Sequence, residues 1–308
     1  MSRVAAIDCG TNSIRLLIAD IEGDNFREIY RTMEIVRLGE GVDRNKQFAP
    51  AAIERTLRAV SEFALEIKRR GASRIRFCAT SATRDASNRD LFINGVFEIL
   101  GVKPEVISGD EEAQLTFEGA VRQLHPSDAP FLVVDIGGGS TEFVIGQSAV
   151  EAAKSVNIGC VRMSERHFSS SPPSIDSITS AIEDIDGAID AASLVVPISE
   201  AKTVIAVAGT ATTVAAAGLG LDSYDRYAIH LSRIPSSKVS EITERFLKMT
   251  RDEIAALAYM HPGRVDVIAA GSLILDRILK RIKAAEFVAS ESDILDGIAW
   301  SIANGAKS

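Results

Sequence analysis

Cysteine is scarce in this chain of 308 residues. Cys9, Cys78 and Cys160 are odd in number and lack C-x-x-C spacing, which excludes a disulfide framework and a cysteine zinc site and suits a reducing cytoplasm. With only 9 prolines and 22 glycines, collagen-like, low-complexity and wholly disordered readings fall away. Positive charge is in deficit: 34 Lys and Arg against 42 Asp and Glu leave a net charge of −8, without the footprint of a general nucleic-acid binder. DNA is therefore not an expected partner, and any polyanion needs a local basic site. Apolar runs are short. Residues 4–7 are too few for the core of a signal peptide. Residues 203–221 carry no charge, but they are mostly Ala, Gly and Thr and are punctuated by Gly209, Gly218 and Gly220, so they read as a buried strand, a turn and a helix rather than a membrane span. A cytoplasmic protein without a membrane segment is expected.

What is present is alternation. Residues 4–19 form two apolar runs around a polar turn with Gly10 and Asn12, the pattern of a hairpin. Ile53, Leu57, Val60, Ala64 and Ile67 recur at helical spacing, with Gly71 placed as a cap. A strand over 75–79, a polar loop over 80–88, a helix over 90–100, a strand over 105–107 and a helix capped at Ser108 or Asp110 follow. Strand and helix alternate, which predicts an α/β fold. His125-Pro-Ser-Asp-Ala-Pro130 is the best interdomain joint, giving domains over 1–126 and 127–308, with the last helix able to pack across.

After that joint the first pattern returns. An offset of 127 residues takes Asp8 to Asp135, Gly10 to Gly137, Ser13 to Ser140 and Ile18 to Ile145, a divergent internal repeat. A strand ending in Asp-x-Gly and opening into Gly, Ser, Thr and Asn combines backbone N–H donors with hydroxyls in a bend that can hold phosphate. The aspartate would be repelled by phosphate, so its role is to hold Mg²⁺, or a water, against the phosphate oxygens. Asp8 and Asp135 fit that role. One such hairpin is ordinarily just a turn; two that agree in carboxylate, glycine and serine point to a paired phosphate clamp.

Paired clamps resemble the sugar kinase, heat-shock chaperone and actin superfamily, with two RNase H-like domains and a central phosphate-binding cleft. Asp8-Cys-Gly-Thr-Asn-Ser-Ile-Arg-Leu16, Ala79-Thr-Ser-Ala-Thr-Arg-Asp-Ala-Ser-Asn88, Ile107-Ser-Gly-Asp-Glu-Glu-Ala113 and Asp135-Ile-Gly-Gly-Gly-Ser-Thr-Glu142 occur in order, followed by Ala208-Gly-Thr-Ala-Thr-Thr213 and His261-Pro-Gly-Arg-Val-Asp-Val-Ile-Ala-Ala-Gly271. Together they resemble the exopolyphosphatase and guanosine pentaphosphate phosphohydrolase (Ppx/GppA) family across essentially the whole chain. The resemblance implies Mg²⁺- or Mn²⁺-dependent hydrolysis of the terminal phosphoanhydride of polyphosphate or of guanosine pentaphosphate, and is compatible with a homodimer. It implies that Glu112 activates the attacking water, with Glu142 as the competing base or an additional metal-side acid beside Asp8 and Asp135. Phosphoryl transfer needs an in-line water and charge neutralisation, so carboxylates suffice. Thr11, Asn12, Ser13, Gly137, Gly138, Gly139, Ser140 and Thr141 are expected at phosphate, and Gly209 and Thr210 match the superfamily's third loop. Arg84 is the expected guanidinium on phosphate. Arg15 is a second candidate, although strand alternation could equally turn it to solvent.

Plainer readings stand beside these. Acids at a helix start, as at Glu111 and Glu112, are favoured by the helix dipole alone. Cys9 and Cys78 read as small buried apolar residues, and His230 and His261 as structural histidines. Arg277, Lys280, Arg281 and Lys283 read as a solvated helix face or a guide for a long polyphosphate chain. Leu295 stands where the family often has a basic residue. Larger members continue into helical domains, so lower processivity, or a preference for short chains or nucleotides, is expected here. Two competing functions are a kinase of the same superfamily, for which no acceptor motif is visible, and a silent sensor that binds polyphosphate or an alarmone.

Overall fold

In the computed structural model, which describes residues 2–23 and 25–305, the chain divides into Met1–Gly119 with Ile294–Ser308 and Ala120–Asp293. The division falls inside the helix Gly109–Val121, ahead of the expected joint, and the last helix, Ile294–Ala303, belongs to the first unit. The proline-rich stretch instead forms a short 3₁₀ turn, Pro126–Asp128, within the second unit.

The first unit is built on β1 (Ser2–Cys9), β2 (Ser13–Glu22), β3 (Asn25–Ile35), β4 (Arg74–Ala79) and β5 (Glu105–Val106), in the order β3-β2-β1-β4-β5. β1 to β3 pair antiparallel, and β4 and β5 continue in parallel. Val4–Ile7 of β1 form an unbroken apolar run because both faces of the strand are covered there. Ala5, Ile7 and Cys9 pack toward Val60, Phe63, Phe77 and Phe92, while Val4 and Ala6 turn to Ile298 and Trp300, the period-two alternation of a strand. Helix Pro50–Arg70 opens on a proline at its first turn and ends at Gly71 in the left-handed region (φ 72°), as its sequence predicts. On the other face Gly297 lets helix Ile294–Ala303 lie against the backbone of Leu115, since a Cβ there would fall 1.9 Å from the Leu115 carbonyl oxygen. β3 keeps charged residues along an exposed edge, which discourages pairing with another strand.

The second unit repeats the plan with β6 (Phe131–Ile136), β7 (Thr141–Gly146), β8 (Val150–Val156), β9 (Thr203–Val207), β10 (Arg233–Pro235) and β11 (Glu286–Ala289), in the order β10-β11-β9-β6-β7-β8. Read from β8, its first five strands have the order and senses of the first unit, with β10 added antiparallel at the edge. Both units therefore have the RNase H-like α/β build that the resemblance implies.

Three local expectations change. Residues 80–88 are not all loop, because Ser81–Asp85 is a short helix. No turn separates β9 from the following helix Ala208–Leu219; Ala208 makes the transition itself, at φ 64°. Arg277, Lys280 and Arg281 are not a bare solvated face: Arg277 pairs with Asp186 at 2.5 Å and Arg281 with Asp190, joining helix Ile268–Ile282 to helix Ile175–Ser193, and Lys280 pairs with Asp276 at 2.7 Å. No helix among the described residues is long and apolar enough to cross a membrane. The three cysteines are free and buried, and burial pushes the Cys160 thiol up to about 11, as inert core thiols behave.

Candidate active site

The first turn joins β1 to β2 and is closed by the Gly10 N–H donating to the Ser13 carbonyl at 2.9 Å. Behind it, the chain leaving β3 donates backbone N–H groups to the turn's carbonyls: Gly39 to Thr11 at 2.9 Å, and Val36 and Arg37 to Asn12 at 3.1 and 2.9 Å. These peptides are trans, so the carbonyl and the following N–H point oppositely. With the Thr11 and Asn12 carbonyls held from behind, the N–H groups of Asn12 and Ser13 face the other way, where an anion can take them. Gly39 is small by necessity, since a Cβ there would lie 2.4 Å from Thr11 Cγ2. The Thr11 hydroxyl is itself bonded to Ser81 Oγ at 2.9 Å and buried.

The second turn, between β6 and β7, closes in the same way, with the Gly137 N–H on the Ser140 carbonyl at 3.0 Å. Its backing is a helix start. The N–H groups of Cys160 (2.9 Å), Val161 (2.9 Å) and Arg162 (3.0 Å), from helix Cys160–His167, reach the carbonyls of Gly137 and Gly138, and Arg162 Nε reaches that of Gly139 at 2.6 Å. By the same peptide geometry the N–H groups of Gly138, Gly139 and Ser140 face away from that helix, three donors against two in the first turn. Gly159 makes the contact, for a Cβ there would fall 2.4 Å from the Gly138 oxygen. Thr141 Oγ1 donates to the Ile158 carbonyl at 2.6 Å, a bond that braces the turn.

The residue opposite each aspartate differs. Asp8 pairs in register with Arg15, whose Nε and Nη2 donate to Asp8 Oδ2 at 3.0 and 2.7 Å, so Arg15 turns to the carboxylate instead of solvent. Asp135 pairs in register with Glu142; both are buried, and Glu142 Oε1 accepts from Ser155 Oγ at 2.7 Å. Among the described residues no three His, Cys, Asp or Glu side chains gather to hold a metal ion by themselves. Mg²⁺ is ordinarily held by one or two carboxylates together with substrate phosphates, and the oxygen donors of Asp135 and Glu142 fit that mode better than Asp8, whose Oδ2 is taken by Arg15.

Glu112 stands in the first turn of helix Gly109–Val121, buried, with its Oε2 accepting from Arg84 Nη1 at 2.7 Å. The same nitrogen donates to the Ile107 carbonyl at 2.9 Å, so Arg84 ties the acid to the backbone ahead of its helix. Glu111 goes elsewhere, to Arg76 at 2.6 Å in a cluster with Glu105 and Ser301. The two adjacent acids therefore have different arginine partners, while both lie in the first turn of the helix.

In the third loop a Cβ on Gly209 would fall 2.6 Å from Arg264 Cζ, and Arg264 Nη1 donates to Thr213 Oγ1 at 3.0 Å. Thr210 is buried beside Cys160, whose thiol it hydrogen-bonds, with Gly271 leaving room for its hydroxyl. Sequence reasoning missed Gly39, Gly159, Arg162 and Arg264. The glycines follow the third strand of each sheet, and Arg264 sits in the quoted His-Pro-Gly-Arg run, so the signal existed only for the last.

Exopolyphosphatase 2 of Mycobacterium tuberculosis is 45% identical over 316 residues, covering 98% of this chain and 99% of that protein. The crystal structure of an exopolyphosphatase-like protein superposes with a TM-score of 0.94 at 43% identity, covering 98% of this chain and 99% of that one. The guanosine-5′-triphosphate,3′-diphosphate pyrophosphatase of Photobacterium profundum is 37% identical over 216 residues, 70% of this chain and 41% of that protein. The profile of the Ppx/GppA phosphatase family matches residues 17–304, and the chain belongs to that family.

Proposed function

We propose that this chain is an exopolyphosphatase that hydrolyses the terminal phosphoanhydride of inorganic polyphosphate, releasing orthophosphate, with Mg²⁺ and with Glu112 as the acceptor of the water proton. As a member of its family it is a phosphoanhydride hydrolase. The observation that carries the finer reading is the matched pair of turns, each with its carbonyls tied down behind and its N–H groups presented as anion donors. Such donors are preorganised and meet the charge that spreads over the equatorial oxygens during phosphoryl transfer. The water oxygen bonds to the terminal phosphorus, its proton passes to Glu112, and the bridging oxygen leaves with the shortened chain. Arg84 supplies the counter-charge that keeps Glu112 in place. Asp135 and Glu142 would hold Mg²⁺, which would neutralise phosphate charge when bound.

Guanosine pentaphosphate is the second substrate to test, because the Photobacterium profundum relative is named for that chemistry. Phosphate release should be measured over a series of polyphosphate lengths and on guanosine pentaphosphate, with Mg²⁺ and with Mn²⁺. Glu112→Gln is expected to lower kcat by roughly 10²- to 10⁴-fold, the usual contribution of a general base, with an unchanged melting temperature. Full turnover in that variant removes the assigned role. Tight binding without release from either substrate would favour a sensor and end the hydrolase reading.

A further inference from the structure

The second unit carries a groove at the end of its sheet opposite the glycine turn. A cavity of about 420 Å³ opens where β9 and β11 begin, at Thr203 and Glu286. Asp135 lies in register with Val207 at the far end of β9, a strand rise of roughly 13 Å from Thr203. Its lining includes the apolar Ile282 and Val288 and the charged Lys202, Arg233 and Lys283, against one acid, Glu286.

Nearby cations on helix Ile268–Ile282 are matched to aspartates. At the groove, Arg233 is matched to Glu286 at 2.7 Å. Lys202 spends one donor on the Ser127 carbonyl at 2.6 Å, and among the described residues no carboxylate meets Lys202 or Lys283. Lys283 also holds a left-handed backbone (φ 54°) at the helix end, a position where glycine is the usual occupant. Two lysine charges therefore stand uncompensated around one concavity in a chain of net charge −8.

We propose that this groove binds a small polyanion of the phosphate class, carrying two or more negative charges, at a site separate from the glycine turn. Lys202 and Lys283 supply the charge, and the Arg233–Glu286 pair lines the same cavity. Phosphate oxygens suit ammonium groups that converge from several sides, because each offers charge without demanding one planar approach.

The test is a lysine footprint on the full chain carrying Glu112→Gln, so that the probe is not consumed, and it does not depend on hydrolysis being the chain's activity. Lysines are acetylated with and without sodium tripolyphosphate, sodium citrate, or sodium chloride at matched ionic strength, and each site is quantified by mass spectrometry. Tripolyphosphate is expected to slow acetylation at Lys202 and Lys283 at least fivefold, with sodium chloride without effect. Calorimetry is expected to show one fewer equivalent of tripolyphosphate bound by the exposed double variant Lys202→Ala, Lys283→Ala than by its parent. Equal protection by citrate would overturn the phosphate assignment. Unprotected lysines, or an unchanged stoichiometry, would overturn the site.

Discussion

The two turns share a closing bond, Gly10 to Ser13 at 2.9 Å and Gly137 to Ser140 at 3.0 Å, and share a strand-end aspartate, but they face it with opposite charges. Across from Asp8 stands Arg15; across from Asp135, at the same offset, stands Glu142. In the first unit the carboxylate is met by a guanidinium, so the turn has its counter-charge built into the chain. In the second, two buried acids lie side by side, an arrangement that gains from a cation brought from outside. The backbone plan can therefore repeat while the electrostatics diverge, because the plan is set by glycine and carbonyl geometry and the charge by one cross-strand residue.

The largest expected effect tests that division. Asp135→Asn should lower kcat by roughly 10²- to 10³-fold, the scale for losing a preorganised electrostatic stabiliser, and should raise the Mg²⁺ concentration needed for half-maximal rate. Asp8→Asn should leave that Mg²⁺ requirement near wild type. Equal displacement of the Mg²⁺ titration by the two variants would break the comparison. A smaller effect separates the backings. Gly159→Ala drives a Cβ into the backbone of Gly138 and Gly139, whereas Gly39→Ala meets chiefly the Thr11 side chain. Overpacking costs about 1–3 kcal/mol, and Gly159→Ala should lie at the upper end, since backbone yields less readily than a side chain. Thermal unfolding of the two variants ranks them, and a more damaging Gly39→Ala would reverse the order.

The repeat and the turns were legible because glycine, carboxylate and serine are local signals, and Asp8, Asp135, Gly10 and Gly137 take matching places in both sheets. Helix Pro50–Arg70 was legible for the same reason, through its spacing and its cap. The pairings were not. Nothing adjacent to Glu112 announces that Arg84 will hold it, or that Glu111 will turn to Arg76, since each contact spans about thirty residues of chain. β3 and β8 were passed over because their sequences, rich in charged and small residues, lack the apolar alternation of buried strands. The unit division was obscured because helix Gly109–Val121 runs through it without a breaker, while the prolines at 126 and 130 mark only a surface turn.

The smallest effect concerns acid. All four histidines, His125, His167, His230 and His261, fall in the second unit. His261 accepts the Gly263 N–H on Nδ1 at 3.1 Å, and burial, with the Arg264 charge second, holds its pKa below the ordinary value of 6.5. An unfolded chain then takes up the proton before the folded one does. Stability contributed by neutral His261 is complete above pH 6.5 and declines as the pH falls through its lower folded value. The loss should stay under about 1 kcal/mol, because the ring is only half-buried. Hydrogen exchange at pH 7 and pH 5.5 should show faster opening in the helices of the second unit and little change in β1 and β2. His261→Gln should flatten part of that dependence. Equal acid sensitivity in both units would show that the histidines of the second unit do not govern the response to protons.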